Sequence, residues 1–291
     1  MPRFVRSIWI VTAIHLAIGM VAYAHFLIFR RYEFIAQYFA ILGSLFFLLM
    51  TAAEFSLALI CRSWFDADEL MRFAWSMIAL AGLARLAGTG IRIGADGHLP
   101  WDLRQWFIPY RGELFANLGQ LGMVIGGPLS MAFLAFGLGR VLSIQRRFRL
   151  PGSLTHGDKA LIVLILAFSI SQLAINLPLL RGQNSLGTIL LWMSDPLLAL
   201  LLVQAVLVRR SVIRIGQGLL AKCWGMFVVA IVTTSLGDAA IWANNHNFLP
   251  ESLTALSWYI WFIPAAAFAS APAYQLAAMS STRDLHQVNA L

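Results

Sequence analysis

The feature that most constrains this chain is the recurrence of apolar runs about as long as a bilayer is thick. A helix crosses the hydrocarbon core with roughly 20 apolar residues, and runs of that length occur near 7–29, 40–61, 72–91, 114–138, 160–179, 188–208, 220–242 and 256–279. Backbone N–H and C=O groups must pair internally in hydrocarbon, which predicts helices for all of them. The expected fold class is therefore all-α: a polytopic transmembrane bundle of about eight spans forming one integral-membrane domain over residues 1–291. With 60% hydrophobic and 12% charged residues, the 291-residue chain leaves no room between spans for a soluble catalytic domain.

The formal charge of +8 comes almost wholly from arginine, since Lys159 and Lys222 are the only lysines. These cations fall between the apolar runs rather than in one patch, which argues against nucleic acid and for contact with lipid headgroups. Once the spans are drawn, 14 Lys and Arg residues collect on one side and 6 on the other, with Arg85 inside a span. Retention of cations in the cytoplasm then predicts both termini inside, in a membrane of bacterial inner-membrane type. The first run begins like a signal sequence but lacks a small-x-small cleavage site, and is read as an uncleaved anchor. Cys61 and Cys223 form neither a CxxC pair nor a metal-ligand spacing, and no disulfide is expected of them.

Two connections carry more than turn residues. The outer segment 94–113 interleaves Trp101, Trp106, Phe107 and Tyr110 with charges after Pro100, and reads as a short amphipathic helix at the interface that anchors the chain or docks a partner. The basic stretch 140–159 holds Arg146, Arg147 and Arg149, and reads as a cytoplasmic loop that meets headgroups or a cytosolic partner.

Ionisable residues at membrane depth are costly and are the best markers of an interior site. Counted at 1.5 Å per residue from the cationic span ends, Arg85 and Asp195 both lie ~20 Å up and Asp238 ~24 Å up, while Glu54 and His15 both lie ~12 Å up. Depth thus predicts an outer group of Arg85, Asp195 and Asp238, and an inner pair of Glu54 and His15 that would serve as a proton path. Arg85 fits equally a structural ion pair holding helices in register. Pro196, directly after Asp195, predicts a mid-span break of the kind that lines transporter sites.

Small residues at Ala84 and Gly88, at Gly122 and Gly126, and at Ala265, Ala269 and Ala273 permit close helix approach, within the bundle or between subunits. The inventory argues against several chemistries. The histidines inside spans, His15 and His25, are on the same helix, so no internal bis-histidine haem is expected. Neither lysine is placed for a retinal Schiff base. Walker A, HExxH and G-x-S-x-G motifs are missing from the sequence.

The stretch Trp192-Met-Ser-Asp-Pro-Leu-Leu-Ala-Leu-Leu-Leu, followed by Arg209-Arg-Ser and by Ser235-Leu-Gly-Asp-Ala-Ala-Ile-Trp242, resembles a helix pair of eight-helix membrane sensor regions in bacterial signalling proteins. The resemblance spans roughly fifty residues. It implies a compact bundle with Asp195 and Asp238 facing inward, and a separate output partner, since the chain ends soon after its last run. The expected function is a non-catalytic subunit of a larger membrane complex, binding lipid, quinone or pigment. The alternative is a small transporter or ligand sensor built on Arg85, Asp195 and Asp238.

Overall fold

The structure, a computed structural model, describes residues 1–31, 33–95, 113–148, 154–180, 193–215, 218–245 and 248–288. Their regular structure is helical throughout. Helix α1 is Arg3–Phe29 and α2 is Glu33–Ser63, with a π-helical turn at Tyr38–Gly43. Helix α3 is Leu70–Ala95. Helix α4 runs from Glu113–Val124 through a π-helical turn, Ile125–Leu129, into Ser130–Arg147. Helices α5, α6 and α7 are His156–Leu180, Ser194–Ile215 and Leu219–Asn245. Helix α8 passes from Glu251–Ser257 through a 3-10 turn, Trp258–Trp261, into Phe262–Val288. Over their described residues, all of these except α5 are long and apolar enough to cross a membrane, giving seven such helices.

Side-chain contacts fix the order and direction of the helices. Arg62 bonds Ser76 while Glu54 bonds Arg85, so α2 and α3 are antiparallel. Gly88 abuts Gly122 and Gly126, and Gly137 abuts Ala74, so α3 and α4 are antiparallel too. Gly127 meets Ser194 and Gly139 meets Gln204, which makes α4 and α6 parallel. Helix α8 packs on α1, α2 and α7, whereas α5 packs on α6 at one edge. Trp75 of α3 meets Trp224 of α7, with ring centroids 6.1 Å apart. The result is a bundle with one basic end, where α1, α3, α5 and α7 begin and α2, α4, α6 and α8 finish.

Both sides of these helices are apolar, as burial in lipid requires. On α1, Val5, Ile8, Ala22 and Phe26 face the bundle, while Ile10, Ile14, Ile18 and Val21 are exposed. The paired small residues are used inside the chain: a Cβ on Gly88 would lie 2.5 Å from the Gly122 carbonyl oxygen and 2.5 Å from the Gly126 nitrogen. That approach of α3 to α4 requires glycine on both sides.

Two expectations are corrected here. Residues 140–147 continue α4, and α5 begins at His156, so the stretch 140–159 is helix at both of its ends. Arginine and glutamine are good helix formers, and cations in a last turn complement the helix dipole, which carries α4 past its apolar run. Pro196 does not break a span. It lies in the first turn of α6, where the missing N–H has no intrahelical acceptor to lose and the ring's fixed φ favours helix entry. Residues 96–112, with Trp101, Trp106, Phe107 and Tyr110, lie outside the described residues, as does Arg149.

Candidate polar site within the bundle

Arg85 is the centre of the polar interior. Its Nε donates to Glu54 Oε2 at 2.9 Å and its Nη2 donates to Glu54 Oε1, a two-pronged ion pair between α3 and α2. Nη1 donates to the Ser130 hydroxyl of α4 at 3.3 Å. The guanidinium also lies over the Phe268 ring of α8, with Cζ 4.1 Å from its centroid. One cation thereby ties four helices together. The Glu54 side chain is 2% exposed and that of Arg85 12%, so the pair is shielded from solvent and its geometry is the strong, planar, bidentate kind.

Ser130 links the guanidinium to a local irregularity. Its hydroxyl has the Gly126 and Gly127 carbonyls as acceptors at 2.6 and 2.8 Å, both within the π-helical turn of α4. Pro128 in that turn has no N–H to give, and its ring crowds the carbonyl one turn back. The N–H that Pro128 lacks would have served the Val124 carbonyl, and the helix widens there, while the Ser130 hydroxyl bonds the Gly126 and Gly127 carbonyls of its own preceding turn.

The depth grouping is thus overturned: Arg85 pairs with Glu54 rather than with Asp195. The two counts start from Arg62 and Arg72, which are not level: Gly82 packs on the Phe55 backbone, which sets Glu54 opposite Leu83 and only ~3 Å from the level of Arg85, and Cα–Cβ bonds tilt toward each helix's N-terminus. On antiparallel α2 and α3 the two side chains lean toward each other, and the long arginine stem closes the remainder.

The Glu54–His15 pair is not formed either. His15 Nε2 is 2.8 Å from the Tyr38 hydroxyl, and the imidazole stacks on Phe46, centroids 4.5 Å apart, with the edge of Phe262 at 4.4 Å. Tyr38 stacks in turn on Tyr259, whose hydroxyl donates to the Gly19 carbonyl at 2.7 Å. His15 therefore belongs to an aromatic cluster that joins α1, α2 and α8 at the π-helical turn of α2. Sequence reading missed this cluster, because its members are scattered over the chain and each is an ordinary membrane-core residue.

Asp195 and Asp238, both half-buried, lie toward the end of the bundle opposite the basic one and are close enough to act on each other electrostatically. The Ser169 hydroxyl of α5 donates to the Asp195 carbonyl at 3.0 Å, which ties α5 to the start of α6. Cys61 and Cys223 are buried and unbridged, and the Cys61 thiol donates to the Pro272 carbonyl at 3.4 Å. Among the described residues no three His, Cys, Asp or Glu side chains group as metal ligands.

At the basic end, Asp158 and Thr155 form a capping box on α5. The Asp158 carboxylate accepts from the Thr155 N–H at 2.9 Å, and the Thr155 hydroxyl accepts from the Asp158 N–H at 3.2 Å. The same carboxylate accepts from Arg210 Nε at 2.6 Å and Nη2 at 2.8 Å, which ties α5 to α6. Burial opposes its ionisation, but the hydrogen bonds from Arg210 and Thr155 outweigh that and hold the carboxyl at about 2.

An all-helical bundle with seven membrane-length apolar helices and a shielded ion pair at its core is an integral membrane protein. Comparison of the chain with models of protein families, with curated proteins and with solved structures finds no match in any of the three.

Proposed function

We propose that the chain is a non-catalytic integral membrane subunit, a scaffold that meets lipid and other membrane components through its sides. The observation that carries this reading is the full use of Arg85. The costliest charge in the bundle is bound by Glu54, Ser130 and Phe268 from three other helices, which makes it a clamp rather than a reactive group. The edge position of α5, with Val163, Leu164 and Ile170 exposed, offers a face for another subunit, lipid, quinone or pigment.

In the same reading α5 is the eighth span. The basic end faces the cytoplasm of a bacterial-type inner membrane, with both termini inside. Extraction in mild detergent followed by native mass spectrometry tests the subunit role. A partner set of fixed stoichiometry is the expected result, and a clean monomer or homodimer overturns it. Absorbance that copurifies would mark quinone or pigment as the bound group.

A second reading, a small transporter or membrane sensor, is favoured by Asp195 and Asp238, two interacting carboxylates on neighbouring helices. With Arg85 engaged by Glu54, such a site would rest on the two aspartates alone. Asp195→Asn separates the readings: in a transporter or sensor it abolishes activity in a chain that still assembles, whereas in a scaffold it leaves function and partner set intact.

A further inference from the structure

The chain's two cysteines stand far apart in sequence, and the fold brings both to one face of α8. Cys61 comes from the last turn of α2 and Cys223 from the second turn of α7. The Cys61 thiol donates to the Pro272 carbonyl at 3.4 Å and also meets the Leu276 backbone. The Cys223 thiol meets the backbone of Gln275, the residue next to Leu276, and the two thiols are close enough to act on each other electrostatically. Positions 272, 275 and 276 are spaced i, i+3 and i+4 and so share one helix face. Two sulfurs from two helices are thereby held against a single turn of a third.

Burial and geometry decide what such a pair can hold. Both residues are 0% exposed. Helices α2 and α7 each pack on α8 rather than broadly on each other, which suits a group between the thiols better than a direct S–S bond, whose Cα atoms must come within about 7 Å. Two donors are too few for the tetrahedral site that zinc takes, and among the described residues no third His, Cys, Asp or Glu joins them. Thiolate sulfur is a soft donor that selects copper(I), a cation that accepts two donors in line.

The surroundings suit a centre of this kind. Two thiols that each release a proton on binding one copper(I) leave one net negative charge. Arg62 and Lys222, the chain neighbours of the two cysteines, bring cations to the same end. Arg62 Nε bonds the Ser76 hydroxyl at 2.9 Å, and Trp75, next to Ser76, packs on Trp224, next to Cys223. At this level the buried Trp75 Nε1 and Gln275 Oε1 are without partners. Counted along the helices, Cys61 lies ~3 Å and Cys223 ~6 Å from the basic ends of α2 and α7, which leaves a short path to the surface.

We propose that Cys61 and Cys223 bind one copper(I) ion as a two-thiolate bridge between α2 and α7 across the Pro272–Leu276 turn of α8. Each thiol gives up its proton to solvent at the basic end, two Cu–S bonds form, and no electron is transferred. The ion staples α2 to α7 where both helices reach the surface. The site needs no partner subunit, so native mass spectrometry of partners and the test below fail separately.

The test uses the purified full chain in mild detergent, kept reduced with ascorbate, with copper(I) supplied in competition with bathocuproine disulfonate. One copper retained per chain, sulfur as its only neighbours by X-ray absorption and a higher unfolding temperature are expected, while zinc is not retained. Cys61→Ala and Cys223→Ala should each weaken copper binding by roughly a hundredfold or more, since either change leaves a single thiolate. No copper retained by the native chain, or retention unchanged in either variant, overturns the proposal. Nitrogen or oxygen neighbours at the metal overturn it too, and that readout comes from the native chain, so it holds even if an alanine chain fails to fold. A native chain that binds no copper but loses two hydrogens to diamide has its thiols placed for a disulfide, which likewise overturns the proposal.

Discussion

Arg85 and Glu54 stand on antiparallel neighbouring helices within ~3 Å of one level, set by the contact of Gly82 with the Phe55 backbone, and close a bidentate ion pair as each side chain leans toward the other. The carboxylate has Arg85 Nε at 2.9 Å, and the guanidinium reaches a third helix at Ser130 and a fourth at Phe268. Charge of this kind is neutralised where it lies rather than brought to the surface.

Breaking that pair from one side should cost far more than replacing it whole. Glu54→Gln leaves a shielded guanidinium without its counter-charge, a loss of about 3–5 kcal/mol. Arg85→Met combined with Glu54→Gln removes both charges and should recover most of the loss. Thermal unfolding of the three chains in one detergent checks this; a double variant no better than Glu54→Gln would show that the pair does more than neutralise itself.

Gly19 and Gly90 should respond in opposite directions to the same change. A Cβ on Gly19 would stand 2.2 Å from Tyr259 Cε1 and 2.6 Å from the Tyr38 hydroxyl, whereas nothing lies within 4 Å of the same position on Gly90. Gly19→Ala should destabilise by about 1–3 kcal/mol through overpacking. Gly90→Ala should stabilise by up to ~1 kcal/mol through reduced backbone freedom. Unfolding temperatures of the two variants decide the matter.

Tyr38→Phe keeps the stacked ring but removes the hydroxyl that lies 2.8 Å from His15 Nε2 and 3.2 Å from the His15 carbonyl. A net loss of about 1–2 kcal/mol is expected, since buried groups on α1 are left without that partner. An unchanged unfolding temperature would mean that packing alone holds the cluster.

The Asp158 clamp predicts an acid limit. Its carboxyl is lowered from 3.8 to about 2 in the folded chain, with burial opposing and the Arg210 and Thr155 hydrogen bonds prevailing. A carboxyl held low in the folded state stabilises fully above its unfolded value and loses that contribution as pH falls through the folded value. Stability should therefore decline between about pH 4 and pH 2 in the native chain. The decline should be shallower in Asp158→Asn, which would be less stable than the native chain at neutral pH. Unfolding temperature recorded across that range reads both effects.

What the sequence determined by itself was the class and the ends. Apolar runs of bilayer length allow no backbone solution but helices or a closed barrel, and the lack of period-two alternation leaves helices. The arginine-rich ends and the small-residue faces of α3 and α4 were legible for the same local reason: each is a property of a single segment. Which charges meet was decided by the tertiary structure. Counting residues places a Cα along its own helix axis, but contact depends on the register between helices, on lateral neighbours and on the tilt of Cα–Cβ bonds. Those three terms moved Arg85 from Asp195 to Glu54. Pro196 was misplaced for a related reason, since one dipeptide reads as a break inside a helix or as its first turn, and only the start of α6 at Ser194 chooses between them. The aromatic cluster of His15, Tyr38 and Tyr259 has no sequence signature, because α1, α2 and α8 must pack before its members are neighbours.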